Sequence, residues 1–226
     1  VKRGVILPTF RWEMSEALAM ADACADAGID GVFAYDHLFP MNAPERPAFA
    51  PLPLLARVAR RHPTLTVGPL VARVGMTSPA HLAEALLTLQ DVAEGRAVAG
   101  LGTGDALSTK ERLAWGLAAH DANERRRQLG EVAERVAASM PVWVGGGSPA
   151  TEALAREIGA EVNLWHATPE AVAAAGAGGP VNTAGPVPDD LHTHLDDMEA
   201  AGATWSIYAP SVDVAALASW RSRKTL

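Results

Sequence analysis

The chain has 226 residues, 49% of them hydrophobic, and a formal net charge of -7. Such a chain can bury a large core in one domain spanning 1–226, and its acidity argues against nucleic acid or an anionic membrane as partner. Cys24 is the only cysteine, which excludes an intrachain disulfide and a cysteine-built metal cluster; no apolar run nears the ~20 residues of a membrane span. With no signal-peptide pattern at its start, the sequence is expected to be soluble and cytoplasmic.

Strand-like apolar runs fall near 4–8, 31–35, 66–72, 97–102, 141–145, 162–165, 180–183 and 205–209. Helical patterns alternate with them near 15–27, 51–61, 79–93, 123–138, 149–158, 169–175, 190–201 and 213–223. The punctuation repeats. Helix-like runs stop at Gly28, Gly159 and Gly202, each followed by a short apolar run, as an αβ turn requires. Ser78-Pro79, Ser148-Pro149 and Thr168-Pro169 place an N-cap residue before a first-turn proline, a strong helix start. Eight β/α alternations predict a (β/α)8 TIM barrel, with a doubly wound open sheet as the alternative.

Ligands of parallel α/β folds bind at the carboxyl ends of the strands. The run Phe33-Ala34-Tyr35-Asp36-His37 brings an acid and an imidazole to that rim. Gly100-Leu101-Gly102-Thr103-Gly104-Asp105 does the same after the fourth strand. Its G-x-G-x-G spacing lacks the last interval of a dinucleotide fingerprint. Gly145-Gly146-Gly147-Ser148-Pro149 lets the backbone approach a ligand closely and then opens a helix, an arrangement suited to an anion. The basic run Arg125-Arg126-Arg127 could attract phosphate, but a charge run on a helix is more simply a solvated face. His192 and His194 diverge on a helix, so no metal site is expected from them.

These motifs, in this order, resemble the bacterial luciferase-like superfamily of flavin- and deazaflavin-dependent oxidoreductases. The segments that carry the resemblance also include Val67-Gly68-Pro69-Leu70-Val71-Ala72, Asp91-Val92-Ala93-Glu94-Gly95-Arg96, Glu111 and Gly116, and most of it falls within 1–165. The Asp-His end of strand 2 and the Gly-Thr-Gly-Asp run are most similar to the branch that uses coenzyme F420. The resemblance implies His37 as catalytic base and Asp105 as acid. It implies cofactor contacts at Asp36, Thr103 and Ser108, and phosphate contacts along Gly145, Gly146, Gly147, Ser148 and Thr151. It also implies a non-prolyl cis peptide at Leu70-Val71 beneath the cofactor ring. Met41 stands where relatives carry an aromatic residue, and Trp165 ends strand 6, so both are assigned to the substrate pocket.

The chain is shortened relative to that family: 134–140 runs almost directly into strand 5, and basic residues for a sugar phosphate are not found. A neutral, fairly apolar substrate is therefore expected, together with a homodimer that closes the pocket. The resulting expectation is hydride transfer between coenzyme F420 and a small organic substrate. FMN-dependent reductase or monooxygenase chemistry is the alternative, and a non-catalytic flavin- or deazaflavin-binding protein is the alternative of another class.

Overall fold

In a computed structural model, the described residues are 1–40, 43–104, 107–118, 120–146 and 148–220. The sheet comprises β1 (Lys2–Ile6), β2 (Gly31–Ala34), β3 (Thr66–Pro69), β4 (Ala72–Arg73), β5 (Ala99–Gly102), β6 (Val142–Gly145), β7 (Glu161–Trp165), β8 (Val181–Gly185) and β9 (Trp205–Tyr208). Every paired strand is parallel, in the order β3-β2-β1-β9-β8-β7-β6-β5-β4. The ring closes where β3 meets the residues leading into β5: Val67 and Ala97 form a parallel bridge, and the Val98 amide donates to the Val67 carbonyl at 2.9 Å. β3 and β4 are two parts of one staved position, so the architecture is the expected (β/α)8 barrel.

The helices are α1 (Ser15–Asp26), α2 (Pro51–Arg61), α3 (Pro79–Val92), α4 (Leu107–Ala114), α5 (Ala122–Val136), α6 (Pro149–Glu157), α7 (Pro169–Gly176), α8 (Leu191–Ala200) and α9 (Val214–Ser219). Their starts follow the sequence signals. Ser78, Ser148 and Thr168 each accept the amide three residues on, and each is followed by proline. Gly28, Gly159 and Gly202 close their helices at φ of 70°, 67° and 90°, a left-handed conformation that residues with a side chain rarely adopt. The two-turn helix α4 was not foreseen. No helix among the described residues is long and apolar enough to cross a membrane.

Alternation along the strands makes two cores. Outward side chains pack under the helices, with Val32, Val67, Val144 and Val162 among them. Inward side chains fill the barrel around Phe33, Trp143 and Trp205, whose ring centroids lie 5.3 to 5.6 Å apart. Between β3 and β4 the Leu70-Val71 peptide is cis, as expected from the resemblance. β5 accommodates this interruption by having no side chain there. A Cβ on Gly100 would lie 2.1 Å from the Pro69 carbonyl oxygen, and one on Gly102 2.4 Å from Val71 Cγ2. The contact at Gly100 is with backbone and cannot rotate away. Gly100→Ala is therefore expected to lose about 1–3 kcal/mol or more of stability, read from the midpoint of urea unfolding.

Candidate active site

Because all strands run the same way, their carboxyl ends share one rim, and a cavity of about 780 Å³ opens there. Ten of the sequence-predicted residues line it: Asp36, His37, Leu70, Val71, Thr103, Gly145, Gly146, Ser148, Thr151 and Trp165. They come from five separate stretches of chain, which the barrel alone brings together. Ser108 lies in the backbone of α4. Met41, Asp105 and Gly147 fall outside the described residues, so the acid assigned to Asp105 has no structural account.

His37, three residues past β2, is held from behind. Its Nδ1 lies 2.6 Å from Glu111 Oε1, and Glu111 Oε2 accepts from the Leu38 amide at 2.9 Å and from Arg73 Nη2 at 2.8 Å. Glu111 is only 1% exposed. Burial pushes its carboxyl up, but the Leu38 amide, His37 and Arg73 together outweigh burial and hold it below the usual carboxylate range. Glu111 is thus ionised at neutral pH. An ionised Glu111 can only accept, so the His37 Nδ1 carries the proton of this contact, and in the neutral imidazole Nε2 is the nitrogen with the lone pair.

The same guanidinium ties Asp36 into the network. Asp36 Oδ2 accepts the Arg73 amide at 2.7 Å, and Arg73 Nε lies 3.8 Å from it. For Asp36, burial dominates and raises the carboxyl above its ordinary value, against the pull of Arg73. Above His37 the wall is aromatic. Phe10 stacks on Tyr35 with centroids 5.7 Å apart, Tyr35 meets Trp165 at 6.1 Å, and both Phe10 and Tyr35 approach His37. Burial pushes the Tyr35 phenol up to about 12.

Across the cavity, α6 presents its N-terminus. Ser148 Oγ accepts the Thr151 amide at 3.3 Å and lies 3.0 Å from the Thr151 hydroxyl. Arg125 and Arg126, at the start of α5, line the same wall. For these two the solvated-face reading gives way to the cavity-facing alternative. Only Arg127 keeps to the solvated face, pairing with Glu124 and Glu131. Nε of Arg125 and both Nε and Nη1 of Arg73 are buried without a hydrogen-bond partner among the described residues. The Arg73 charge is met by Glu111 and Asp36, so it is the Arg125 nitrogen, on the wall by the α6 N-terminus, that suits a ligand carrying an anionic group.

Sequence reasoning missed Arg73, the buried role of Glu111, Phe10 and Tyr35. The one available signal was Arg73 itself, a charge inside an otherwise apolar run.

Comparisons with known proteins bear on the family and the fold. Residues 2–139 match the family model described as luciferase-like monooxygenase. A curated relative, the F420-dependent glucose-6-phosphate dehydrogenase of Nakamurella multipartita, is 29% identical over 172 residues, covering 64% of this chain and 50% of the relative. The chain thus spans about half the length of that relative. Among solved structures, an F420-dependent secondary alcohol dehydrogenase in complex with an F420-acetone adduct superposes with a TM-score of 0.77 at 14% identity, covering 94% of each chain. The coenzyme F420 dependent tetrahydromethanopterin reductase of Methanopyrus kandleri gives 0.77 at 13% identity, covering 97% of each. A monooxygenase of Streptomyces bottropensis gives 0.71 at 16%, covering 94% of this chain and 93% of the other. At such identities the structural likeness is one of fold, whereas the family match spans more than half of the chain. The chain belongs to the luciferase-like monooxygenase family.

Proposed function

We propose that this protein is an oxidoreductase that binds coenzyme F420 in the rim cavity and passes hydride between it and a small organic substrate. The observation that carries the reading is the His37–Glu111 pair on the cavity wall, which leaves one imidazole nitrogen for a substrate oxygen. The F420 dependence of the curated relative and of the two structural neighbours supports the choice of cofactor.

The residues present fit such a group. Gly146, Ser148 and Thr151 at the head of α6, with Arg125 and Arg126, would hold its phosphate, and the Leu70-Val71 segment would support the ring. When bound, the deazaflavin supplies the carbon that accepts or gives the hydride. His37 Nε2 takes the hydroxyl proton of an alcohol during its oxidation, or returns it in the reverse direction. Glu111 keeps the ring oriented and stabilises the imidazolium that proton transfer creates. Phe10, Tyr35 and Trp165 keep water from one side of the reacting carbon and favour a neutral, largely apolar substrate.

The direct test is anaerobic. The protein loaded with F420 is mixed with a panel of small alcohols, and loss of the oxidised deazaflavin absorbance is followed. Reduction by at least one alcohol supports the reading; bleaching by none, in either direction with ketones included, contradicts it. A second expectation concerns the phosphate cradle. Ser148→Ala should weaken F420 and FMN by about tenfold, as expected for one lost charge-assisted hydrogen bond, yet leave riboflavin unchanged in the same titration. The cavity mouth is open enough that we take the working unit to be a homodimer. Activity per subunit should then fall on dilution below the dimer dissociation constant measured by sedimentation.

A further inference from the structure

A second cavity, about 420 Å³, takes no part in the chemistry above. It lies between the 166–169 loop after β7 and the 185–189 loop after β8, with His194 of α8 and Tyr208 of β9 in its walls. Consecutive residues at the end of β7 divide between the two cavities: Trp165 lines the first and His166 the second. His166 adopts φ of 52°, uncommon for a residue with a side chain, and its amide is fixed to the Ala184 carbonyl at 2.7 Å. Such a conformation, held in place by the strands beside it, is a recurrent mark of binding sites.

The polar lining narrows what could bind. Histidine, hydroxyl and one carboxylate, Asp189, supply it, and neither Lys nor Arg contributes. An anion would meet Asp189 with no cation to offset it. Among the described residues no three His, Cys, Asp or Glu side chains are placed to hold a metal ion. Burial lowers the His194 pKa below its ordinary value, so the ring is neutral at physiological pH, with one N–H and one lone pair. Tyr208 is 2% exposed, and its hydroxyl faces that of Ser206 two residues earlier; the two meet only loosely, and neither makes a hydrogen bond of full geometry among the described residues. Burial also pushes the Tyr208 phenol well up, so it remains a donor. Two buried hydroxyls that meet only loosely keep hydrogen-bonding capacity for a further partner. The volume lies within the ~300–1,000 Å³ range of small-molecule sites.

We infer that this cavity is a second binding site, for a neutral, hydroxyl-bearing small molecule of the polyol or sugar class. A hydroxyl group both donates and accepts, which matches Tyr208 as donor, Asp189 as acceptor and neutral His194 as either. The inference is independent of the cofactor and of hydride transfer, so it can fail while that reading stands.

The test is a titration of the full chain with D-glucose and with glycerol, followed through the imidazole resonances of His166 and His194. Inorganic phosphate and acetate are titrated in parallel, and resonances are assigned by single His→Gln variants. At least one polyol should give saturable shifts at both histidines, the anions should give none, and Tyr208→Phe should weaken the polyol about tenfold. Absence of saturable shifts with both polyols overturns the inference, as do shifts driven by phosphate or acetate instead. Asp189→Asn, at an exposed position, gives a second variant with the same expected loss if Tyr208→Phe does not fold. Unchanged polyol affinity in whichever variant folds also overturns it.

Discussion

His37→Ala is expected to lower turnover by about 10²–10⁴-fold while leaving the affinity for coenzyme F420 within a factor of about two. The ring sits on the wall of the rim cavity, and its Nδ1 is committed to Glu111 at 2.6 Å. Removing it takes away the group assigned to the substrate proton. It leaves the α6 terminus and the arginines of the opposite wall in place. The fold should tolerate the change, because Glu111 retains the Leu38 amide and Arg73 as partners. Rate and affinity are therefore expected to separate, which a combined kinetic and binding measurement reads directly. A protein that only stores the cofactor would have no turnover to lose, and equal loss of binding and rate would assign His37 to the cofactor cradle. Restoration of part of the rate by added imidazole would show that the missing function is proton transfer.

Glu111→Ala should act on stability as strongly as His37→Ala acts on rate. The carboxylate is buried, and one side of it carries a buried guanidinium at 2.8 Å. Truncating it leaves the Arg73 charge with Asp36 alone, at 3.8 Å and without a side-chain hydrogen bond. Removing one partner of a buried pair costs about 3–5 kcal/mol, several times the cost of an exposed one. Urea unfolding of Glu111→Ala against the parent measures it. Glu111→Gln keeps the shape but loses the charge, so it should be milder in stability while still allowing the His37 ring to reorient. A lowered rate with a displaced pH profile in that variant would separate positioning from bulk stability.

The pH dependence has a definite sign. Glu111 has a depressed pKa in the folded protein, so its contribution to stability is complete above the ordinary value of 4.5 and is lost as pH falls through the depressed one. Asp36 is raised and works in the opposite sense: its contribution is full below 3.8 and declines as pH rises through its folded value. Comparing the parent with Glu111→Gln between pH 2 and pH 6, roughly the range over which carboxylates titrate, should therefore remove the acid-side loss and leave the Asp36 trend.

The barrel was legible because its signals are local. A glycine after a helix and a Ser-Pro or Thr-Pro before one are read within a few residues, and seven of the nine observed strands follow expected runs closely. Asp36 and His37 were legible for the same reason, as polar residues ending an apolar strand. Arg73 and Glu111 were not, because what defines them is their meeting across 38 positions. Glu111 in isolation looks like any solvated helix acid, and α4 is too short to show a periodic face. The division within Arg125-Arg126-Arg127 was equally hidden. All three share one helix turn, and only the placement of that turn at the rim sends two of them to the cavity.

The measurement that bears most directly on the central claim is an equilibrium titration of the purified protein with coenzyme F420 and, in parallel, FMN. A saturable F420 complex that is clearly tighter than the FMN complex, and that weakens in Ser148→Ala, is the expected result. Preference for FMN would move the protein to flavin chemistry, and binding of neither would contradict the assignment of the rim cavity as a cofactor site.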